Sequence, residues 1–302
     1  MLRPSPLLFT ALAAALVICW SSGFVGIRFT TEAATVPQIL FGRSVISGLC
    51  LTPFLLRGPR VSLRAVLEQG LYAFLGMFLY LGGFALAIGE GVPTGLVALM
   101  SDLVPLGIAV LSAPLLRQPL SPRQWTGTAI ALAGVLTVSA DALALGQAPV
   151  LAYALPILGM LAFALSTVVQ ERRAAIRLTI PQRLCLQCLW AALMFAPFAH
   201  AGGGLFPPLT PGYLMGIAWL VILATYGGWL IYYLLLRLYP PAMVSATVYL
   251  SPPVTMLWAW ALFGEPLTWA MATGLAVTLG GVALVATGRQ SSVLVPENRQ
   301  PT

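Results

Sequence analysis

Long runs without charged residues dominate this sequence of 302 residues, in which 59% of the residues are hydrophobic and only 8% are charged. Ordinary soluble domains carry roughly 25% charged residues, so a soluble fold is excluded. A helix needs about 20 apolar residues to cross the hydrocarbon core of a membrane. Ten runs approach or exceed that length, and they predict an all-α integral membrane protein with ten transmembrane helices. The predicted helices are Leu7–Ile27, Val36–Leu56, Leu67–Ile88, Val92–Leu116, Gln124–Ala140, Val150–Val169, Pro181–Ala199, Gly212–Leu236, Pro241–Phe263 and Pro266–Thr287.

One pattern of prolines and glycines occurs twice in the sequence. Five of these residues in the first half match five in the second half at a constant shift of 147 positions. Proline restricts the backbone, and glycine permits conformations and close approaches that other residues do not. The matches therefore indicate a structural repeat. The matched pairs are Pro93 with Pro240, Pro105 with Pro252, Pro119 with Pro266, Gly127 with Gly274, and Gly134 with Gly281. Upstream, Val36-Pro37-Gln38 matches Ile180-Pro181-Gln182 at a shift of 144.

The repeat divides the chain into two units of five helices each. We predict a first repeat over residues 1–145, a second over 146–288, and a disordered cytoplasmic tail over 289–302. The first apolar run resembles a signal peptide, but the repeat requires it as a helix. An odd number of spans in each half gives the halves opposite orientations in the membrane, which predicts an inverted repeat.

The arginines predict the orientation. There is no lysine, and thirteen of the 15 arginines fall in connections on one side of the predicted membrane. The other side carries Arg28 together with Glu32, Glu90, Asp141 and Glu265. Positive residues are retained in the cytoplasm, so both termini are predicted to be cytoplasmic. Because the arginines form no stripe with interleaved aromatic residues, we expect no nucleic-acid partner.

Four motifs are distributed over nearly the whole chain: Trp20-Ser21-Ser22-Gly23-Phe24, Arg43, Tyr249-Leu250-Ser251-Pro252-Pro253, and Gly264-Glu265-Pro266-Leu267. Together they resemble the EamA family of the drug/metabolite transporter superfamily. The first-half counterpart of the last motif departs from it and reads Arg117-Gln118-Pro119-Leu120. The resemblance implies a ten-helix secondary transporter, with helices 5 and 10 packed outside a central cavity. Many members export amino acids or other small metabolites.

Two charged residues lie deep within the predicted spans. Arg43 lies about seven residues, or roughly 10 Å, from the start of helix 2, and Asp102 lies about ten residues into helix 4. A charge at that depth costs several kcal/mol unless it faces a wet cavity or a partner, so both are candidates for substrate binding or gating. A structural ion pair between them, or an arginine that snorkels to the surface, is the alternative. Their repeat equivalents, Gln187 and Tyr249, are uncharged.

Prolines and aromatic residues complete the candidate site. Pro105, Pro252 and Pro253 remove backbone donors near the middle of helices 4 and 9, which predicts kinks beside a cavity and a role in gating. An aromatic stripe usually reflects packing. The resemblance nevertheless implies that a set of aromatic residues lines the cavity, where it would suit an apolar body or a cation. That set is Trp20, Tyr80, Phe163, Tyr226, Trp229 and Tyr249.

Other kinds of site are not indicated. Cys185 and Cys188 form a CxxC without a second pair or a nearby histidine, so we interpret them as buried apolar residues and expect no metal or cofactor. Helix 1 carries no carboxylate that could bind a proton. With what the family resemblance implies, we predict a monomeric transporter of the bacterial inner membrane that exports a small metabolite, such as an amino acid, by alternating access. Drug efflux or uptake by the same fold, a membrane-embedded enzyme and a non-transporting scaffold remain alternatives.

Overall fold

A computed structural model describes residues 6–116, 121–144, 148–172, 178–239, 244 and 247–288. Within these ranges the chain forms helices and connections and no β-strand. We label the helical segments α1 to α10 in chain order and count a helix with a break or a change of helix type as one segment. Their bounds are α1 Pro6–Thr30; α2 Val36–Leu51 and Pro53–Leu56; α3 Leu63–Ala73, Phe74–Leu79 and Tyr80–Gly89; α4 Thr94–Ser101 and Val104–Leu116; α5 Pro122–Ala144; α6 Val150–Tyr153 and Ala154–Arg172; α7 Ile180–Ala201; α8 Pro211–Trp219, Leu220–Trp229 and Leu230–Leu238; α9 Ser251–Phe263; and α10 Trp269–Gly288.

Six segments, α1, α2, α3, α6, α7 and α8, are long and apolar enough to cross a membrane. α10 begins at Trp269 and not at the predicted Pro266. The intervening residues form an irregular connection, in which Gly264 adopts the left-handed conformation and the Thr268 hydroxyl accepts a hydrogen bond from the backbone N–H of Met271. The predicted start of helix 9 at Pro241, the Arg117-Gln118-Pro119-Leu120 segment and the predicted tail 289–302 lie outside the described residues.

The repeat-equivalent helices α2 and α7 pack antiparallel to each other. Both begin with a capping box, formed by Thr35 and Gln38 in α2 and by Thr179 and Gln182 in α7. Each glutamine also reaches the connection at the far end of the other helix. Gln38 Nε2 donates to the carbonyl oxygen of Gly204 at 3.1 Å, and Gln182 Nε2 donates to that of Pro59 at 3.0 Å. This reciprocity is what a two-fold relation between oppositely directed halves requires.

The repeat-equivalent helices α5 and α10 show the same reciprocity through glycines. A Cβ atom on Gly127 would lie 2.6 Å from the carbonyl oxygen of Gly281, and one on Gly134 would lie 2.6 Å from that of Gly274. Only glycine permits so close an approach of two backbones. The pairing of an early residue in α5 with a late residue in α10 makes these helices antiparallel too.

The connections distinguish the two ends of the bundle. We call the end with Glu32, Glu90, Asp141 and Glu265 the acidic end, and the opposite end, where α3 begins, the basic end. At the acidic end, Glu265 joins the halves. Its carboxylate accepts hydrogen bonds from the backbone N–H and the hydroxyl of Thr94, at 2.8 and 2.6 Å, at the first residue of α4. α4 and α9 therefore meet at the acidic end.

α4 is interrupted near its middle. It leaves the α-helical conformation at Asp102 and Leu103, directly before Val104-Pro105, and resumes toward the basic end. At the repeat-equivalent position, Tyr249 and Leu250 form a turn immediately before α9 begins at Ser251. The interruptions thus precede Pro105 and Pro252 by two or three residues.

Candidate functional site

Four aromatic side chains meet in the middle of the bundle and form what we call the aromatic layer: Trp20 of α1, Tyr80 of α3, Phe163 of α6 and Trp229 of α8. Tyr80 and Phe163 stack with ring centroids 4.8 Å apart. Trp229 lies 5.5 Å from Trp20 and meets Phe163 edge-on at 5.9 Å. The layer draws on both halves of the chain, and Trp20 and Tyr80 contribute to a pocket on each of its sides.

Arg43 lines the pocket on the acidic side of the layer. Its side chain is buried, with 4% of its surface exposed. Its Nε–H donates to the Thr225 hydroxyl at 2.8 Å, whereas Nη1 has no hydrogen-bond partner within the described residues. A buried guanidinium nitrogen without a partner is costly, so it marks a position where a ligand oxygen would be stabilised. The lining residues are Trp20, Gly23, Phe24, Arg43, Tyr80, Leu81, Phe84, Ala224 and Trp229.

Asp102 lines the pocket on the basic side of the layer, which has an empty volume of about 500 Å³. It sits at the interruption of α4 and is also 4% exposed. Its Oδ1 accepts a hydrogen bond from Trp20 Nε1 at 3.3 Å, whereas Oδ2 makes no hydrogen bond of good geometry among the residues described, although the Ser251 hydroxyl of α9 lies beside the carboxylate. The carboxylate thus holds one indole of the layer and has an oxygen whose hydrogen bonding is incomplete. The lining residues are Trp20, Tyr80, Asp102, Val104, Pro105, Ile108, Phe163, Thr167, Tyr232 and Val248.

The structure brings together most but not all of the predicted site residues. The two pockets contain Trp20, Arg43, Tyr80, Asp102, Pro105, Phe163 and Trp229. Arg43 and Asp102 form no ion pair, so the pairing alternative is not realised in this conformation.

Four predicted residues lie outside both linings. Tyr226 donates its hydroxyl proton to the carbonyl oxygen of Ser47 at 3.0 Å, which ties α8 to α2. Tyr249 is half-buried beside the core, and Pro252 and Pro253 begin α9. Val248, which directly precedes the interruption before α9, lines the pocket on the basic side, whereas the turn residues Tyr249 and Leu250 do not.

Sequence reasoning missed Thr225, Thr167 and Tyr232. Threonine is common in apolar helices and usually bonds to its own helix, so Thr225 carried no signal by itself. Tyr232 continues the aromatic series of α8 and stands 5.6 Å from Trp20. A π-helical stretch from Leu220 to Trp229 precedes Tyr232 and changes which residues of α8 share a face.

A third, polar pocket opens at the acidic end and is lined in part by Arg28, Thr31 and Glu265. Arg28 pairs with Glu32 at 3.4 Å and lies over the ring of Phe263. Burial raises the pKa of the Glu265 carboxyl above its ordinary value, although the hydrogen bonds from Thr94 act in the opposite direction. Within the described ranges, no three His, Cys, Asp or Glu side chains converge as metal ligands would.

Comparison with known proteins matches both halves of this chain. The model of the EamA-like transporter family matches residues 8–140 and again 150–287. The chain is 27% identical to the "Uncharacterized inner membrane transporter YedA" of Escherichia coli K12, over 93% of this chain and 91% of that protein. The YedA proteins of Escherichia coli O6:H1 and O157:H7 match equally. A solved crystal structure covers 93% of the chain with a TM-score of 0.62 at 19% identity, which establishes a shared fold.

Proposed function

Because this chain belongs to the EamA-like transporter family, we propose that it is a secondary transporter that exports a small metabolite, an amino acid or a related compound. Transport proceeds by alternating access to the cavity around the aromatic layer. Membrane transporters of this kind bind substrate near the midplane, between the two repeats. The aromatic layer fits that position, because it is built from α1 and α3 of the first half and from α6 and α8 of the second.

The observation that carries the proposal is a pair of unsatisfied, oppositely charged groups. Arg43 Nη1 and Asp102 Oδ2 are both buried and make no hydrogen bond of good geometry among the described residues, although the Ser251 hydroxyl lies beside the carboxylate. Arg43 and Asp102 line separate pockets that share Trp20 and Tyr80. A zwitterion carries the two complementary charges, a carboxylate for the guanidinium and an ammonium for the aspartate, and it can engage both at once when the rings of the aromatic layer move apart during alternating access. The aromatic rings accommodate the apolar body and add attraction for the ammonium.

The proposal includes the architecture. We place ten spans in two inverted repeats, residues 1–145 and 146–288, in the bacterial inner membrane. The two separate family matches and the antiparallel packing of α2 with α7 and of α5 with α10 support this division. The acidic end then faces the periplasm and both termini face the cytoplasm, following the arginine distribution. An impermeant label should leave a cysteine placed in the connection between α2 and α3 unmodified in intact cells, and modification there would reverse the orientation.

A ligand screen tests the substrate class. A compound that binds only the folded protein raises its melting temperature. The purified protein should be stabilised by one or more proteinogenic amino acids, and less by the corresponding amines or carboxylates, which lack one charged group. Stabilisation by amines alone would instead favour efflux of organic cations, for which Asp102 and the aromatic rings suffice. If no zwitterion stabilises the protein, the amino acid assignment is wrong.

Export must then be measured separately from binding. Cells that overproduce the protein and are loaded with the stabilising amino acid should release it faster than cells that carry the empty vector. Faster accumulation of the external amino acid, with no effect on release, would make the protein an uptake system of the same fold.

A further inference from the structure

The hydroxyl of Thr225 links Arg43 to an unusual turn of α8. Thr225 is 2% exposed, and its Oγ1 accepts the Nε–H of Arg43 at 2.8 Å. The same hydroxyl donates its proton to the carbonyl oxygen of Leu220 at 2.9 Å, five residues back along α8. The orientation of the Thr225 hydroxyl is therefore defined: its proton is donated to Leu220, and a lone pair of its oxygen accepts the hydrogen bond from Arg43.

The five-residue spacing is exceptional in this molecule. Other described serine and threonine hydroxyls that bond back to their own helix reach three or four residues, as Thr30 does to Gly26. Thr225 lies inside the π-helical stretch from Leu220 to Trp229, where five-residue spacing is the rule. Such stretches are less stable than α-helix and are found frequently at functional sites. An α-helical turn here would direct the Thr225 hydroxyl differently and remove the acceptor from Arg43.

We propose that Thr225 is a positioning residue: the π-helical turn of α8 holds its hydroxyl on Arg43 Nε, so that Nη1 is presented to the pocket as the binding group for a ligand carboxylate. This assignment rests on the proposed function for the identity of the ligand. The positioning itself rests on the contacts. One guanidinium nitrogen, Nε, is held by the protein, and another, Nη1, is buried without a partner among the described residues, in a residue that lines the pocket. The contact with Thr225 restricts the plane of a group whose recognition of carboxylates depends on its plane.

Two substitutions separate positioning from packing. Thr225→Val keeps the shape of the side chain but removes the acceptor, and Thr225→Ser keeps the acceptor. Thr30→Val is the matched control, because Thr30 is also fully buried and its hydroxyl bonds only to its own helix in the described residues. All three variants are made in the full chain and purified in the same detergent.

The first measurement needs no ligand. Nitrogen NMR of protein labelled at arginine Nε resolves the 15 arginines, and the Arg43 signal is the one that Arg43→Lys removes. In the native protein and in Thr225→Ser, the Arg43 Nε–H should exchange slowly with water, whereas in Thr225→Val it should exchange at least tenfold faster. Slow exchange in Thr225→Val would overturn the positioning role whatever the substrate is.

The second measurement uses L-phenylalanine and phenethylamine, which share a ring and an ammonium but differ in the carboxylate. Thr225→Val should bind L-phenylalanine about tenfold more weakly, as expected for a disturbed charge-assisted contact, and phenethylamine unchanged. Thr225→Ser and Thr30→Val should stay within about twofold of the native affinity for both. Equal weakening of both probes in Thr225→Val, or failure of serine to restore binding, would make Thr225 a packing residue. If the native protein binds neither probe while Arg43 exchange behaves as stated, L-phenylalanine is excluded as a ligand and the positioning stands.

Discussion

Two polar contacts between the halves of the molecule occupy related places in the repeat and have different chemistry. Arg43 of α2 contacts Thr225 of α8, and its repeat equivalent Gln187 of α7 contacts Gln69 of α3, with Nε2 2.7 Å from Oε1. The second contact joins two neutral amides. The first joins a charge to a hydroxyl and leaves one guanidinium nitrogen buried without a partner in the described part of the chain, in a residue that lines a pocket. Equivalent positions of the two halves thus differ in role: Gln187 makes a neutral contact between helices, whereas Arg43 carries a charge that is not fully satisfied.

The glycines of α5 and α10 show the opposite behaviour, since both halves keep them. Their reciprocal contacts leave no room for a side chain on either helix. Positions that both halves share therefore serve the contact between helices, and positions that differ between them are where a binding site is differentiated. The predictions below test this division.

The largest effect is expected at the position where the halves differ in charge. Arg43→Ala should reduce export to the background of cells without the protein, whereas Gln187→Ala should retain most of it, because only Arg43 presents a charge to the cavity. Export of the stabilising amino acid from loaded cells measures both. Membrane expression of each variant must be compared with the native level. A misfolded Arg43→Ala variant, or equal losses in the two variants, would make the arginine structural.

A lysine at the same position tests the geometry of the contact. Arg43→Lys should restore little activity if the substrate carboxylate is bound by a planar, two-nitrogen edge, because lysine offers only a point charge. Full activity of Arg43→Lys would mean that charge alone is required.

The shared glycines should give matched losses of stability and not of binding. Gly134→Ala and Gly281→Ala each place a Cβ against the backbone of the opposite helix, so each should destabilise the protein by about 1–3 kcal/mol. Gly280→Ala is the control, since a Cβ there meets nothing within 4 Å. Melting temperatures in one detergent provide the comparison. If Gly134→Ala and Gly281→Ala differ as much from each other as from the control, the halves are not equivalent at this contact.

Asp102 and its repeat equivalent Tyr249 offer a second test of asymmetry. Asp102→Asn keeps an acceptor for Trp20 Nε1 but removes the charge, so binding of ammonium-bearing compounds should weaken about tenfold. Tyr249→Phe should bind normally, because Tyr249 lies outside both pocket linings. The pH dependence of export is measured as well. If the Asp102 carboxylate couples transport to protons, export by Asp102→Asn should depend less on pH than export by the native protein. Near-normal binding and transport in Asp102→Asn would reduce Asp102 to a polar lining group.

The sequence predicted features that depend on periodicity and on the free-energy cost of burying charge. Runs without charge predicted an all-helical membrane protein, and the described residues form helices with six clear apolar spans. The repeated prolines and glycines predicted two halves, and the family model matches the chain twice. The cost of burying Arg43 and Asp102 made them candidates for the site, and that role stays a prediction.

The sequence could not predict which neighbours satisfy those charges. Comparable depth suggested an ion pair, but Arg43 bonds to Thr225 and Asp102 to Trp20, because the aromatic layer lies between them. Nor could it locate the π-helical stretches of α3 and α8, Phe74–Leu79 and Leu220–Trp229, which have no residue signature and change which residues of each helix share a face.

The smallest effect is expected for the glutamines near the start of α2 and α7. If the two halves are equivalent there, replacing either glutamine should cost the same stability. In each helix the amide oxygen accepts the backbone N–H of the capping threonine, at 3.2 Å from Thr35 and 2.9 Å from Thr179. The amide nitrogen then donates across to the other helix. Each amide oxygen also accepts the hydroxyl of its capping threonine, and Gln182 Nε2 has a further, long contact with the Leu55 carbonyl oxygen at 3.5 Å. Gln38→Ala and Gln182→Ala therefore remove nearly the same contacts, so each should lower the free energy of unfolding by about 1 kcal/mol.

The double variant, Gln38→Ala with Gln182→Ala, tests whether the two losses of stability are independent. The two glutamines lie at opposite ends of the bundle, so their effects should add to within about 0.5 kcal/mol. Gln170→Ala, which loses only a 3.3 Å bond to Ser166 on its own helix, is the control and should change stability by less. Unfolding of the native protein, the two single glutamine variants, the double variant and Gln170→Ala is followed in the same detergent. Equal and additive losses, with export unimpaired once the lower stability is allowed for, are what a shared structural position requires. A loss at Gln182 several times that at Gln38 would show that the two ends are held differently, and the division between shared and differentiated positions would then not extend to the helix ends.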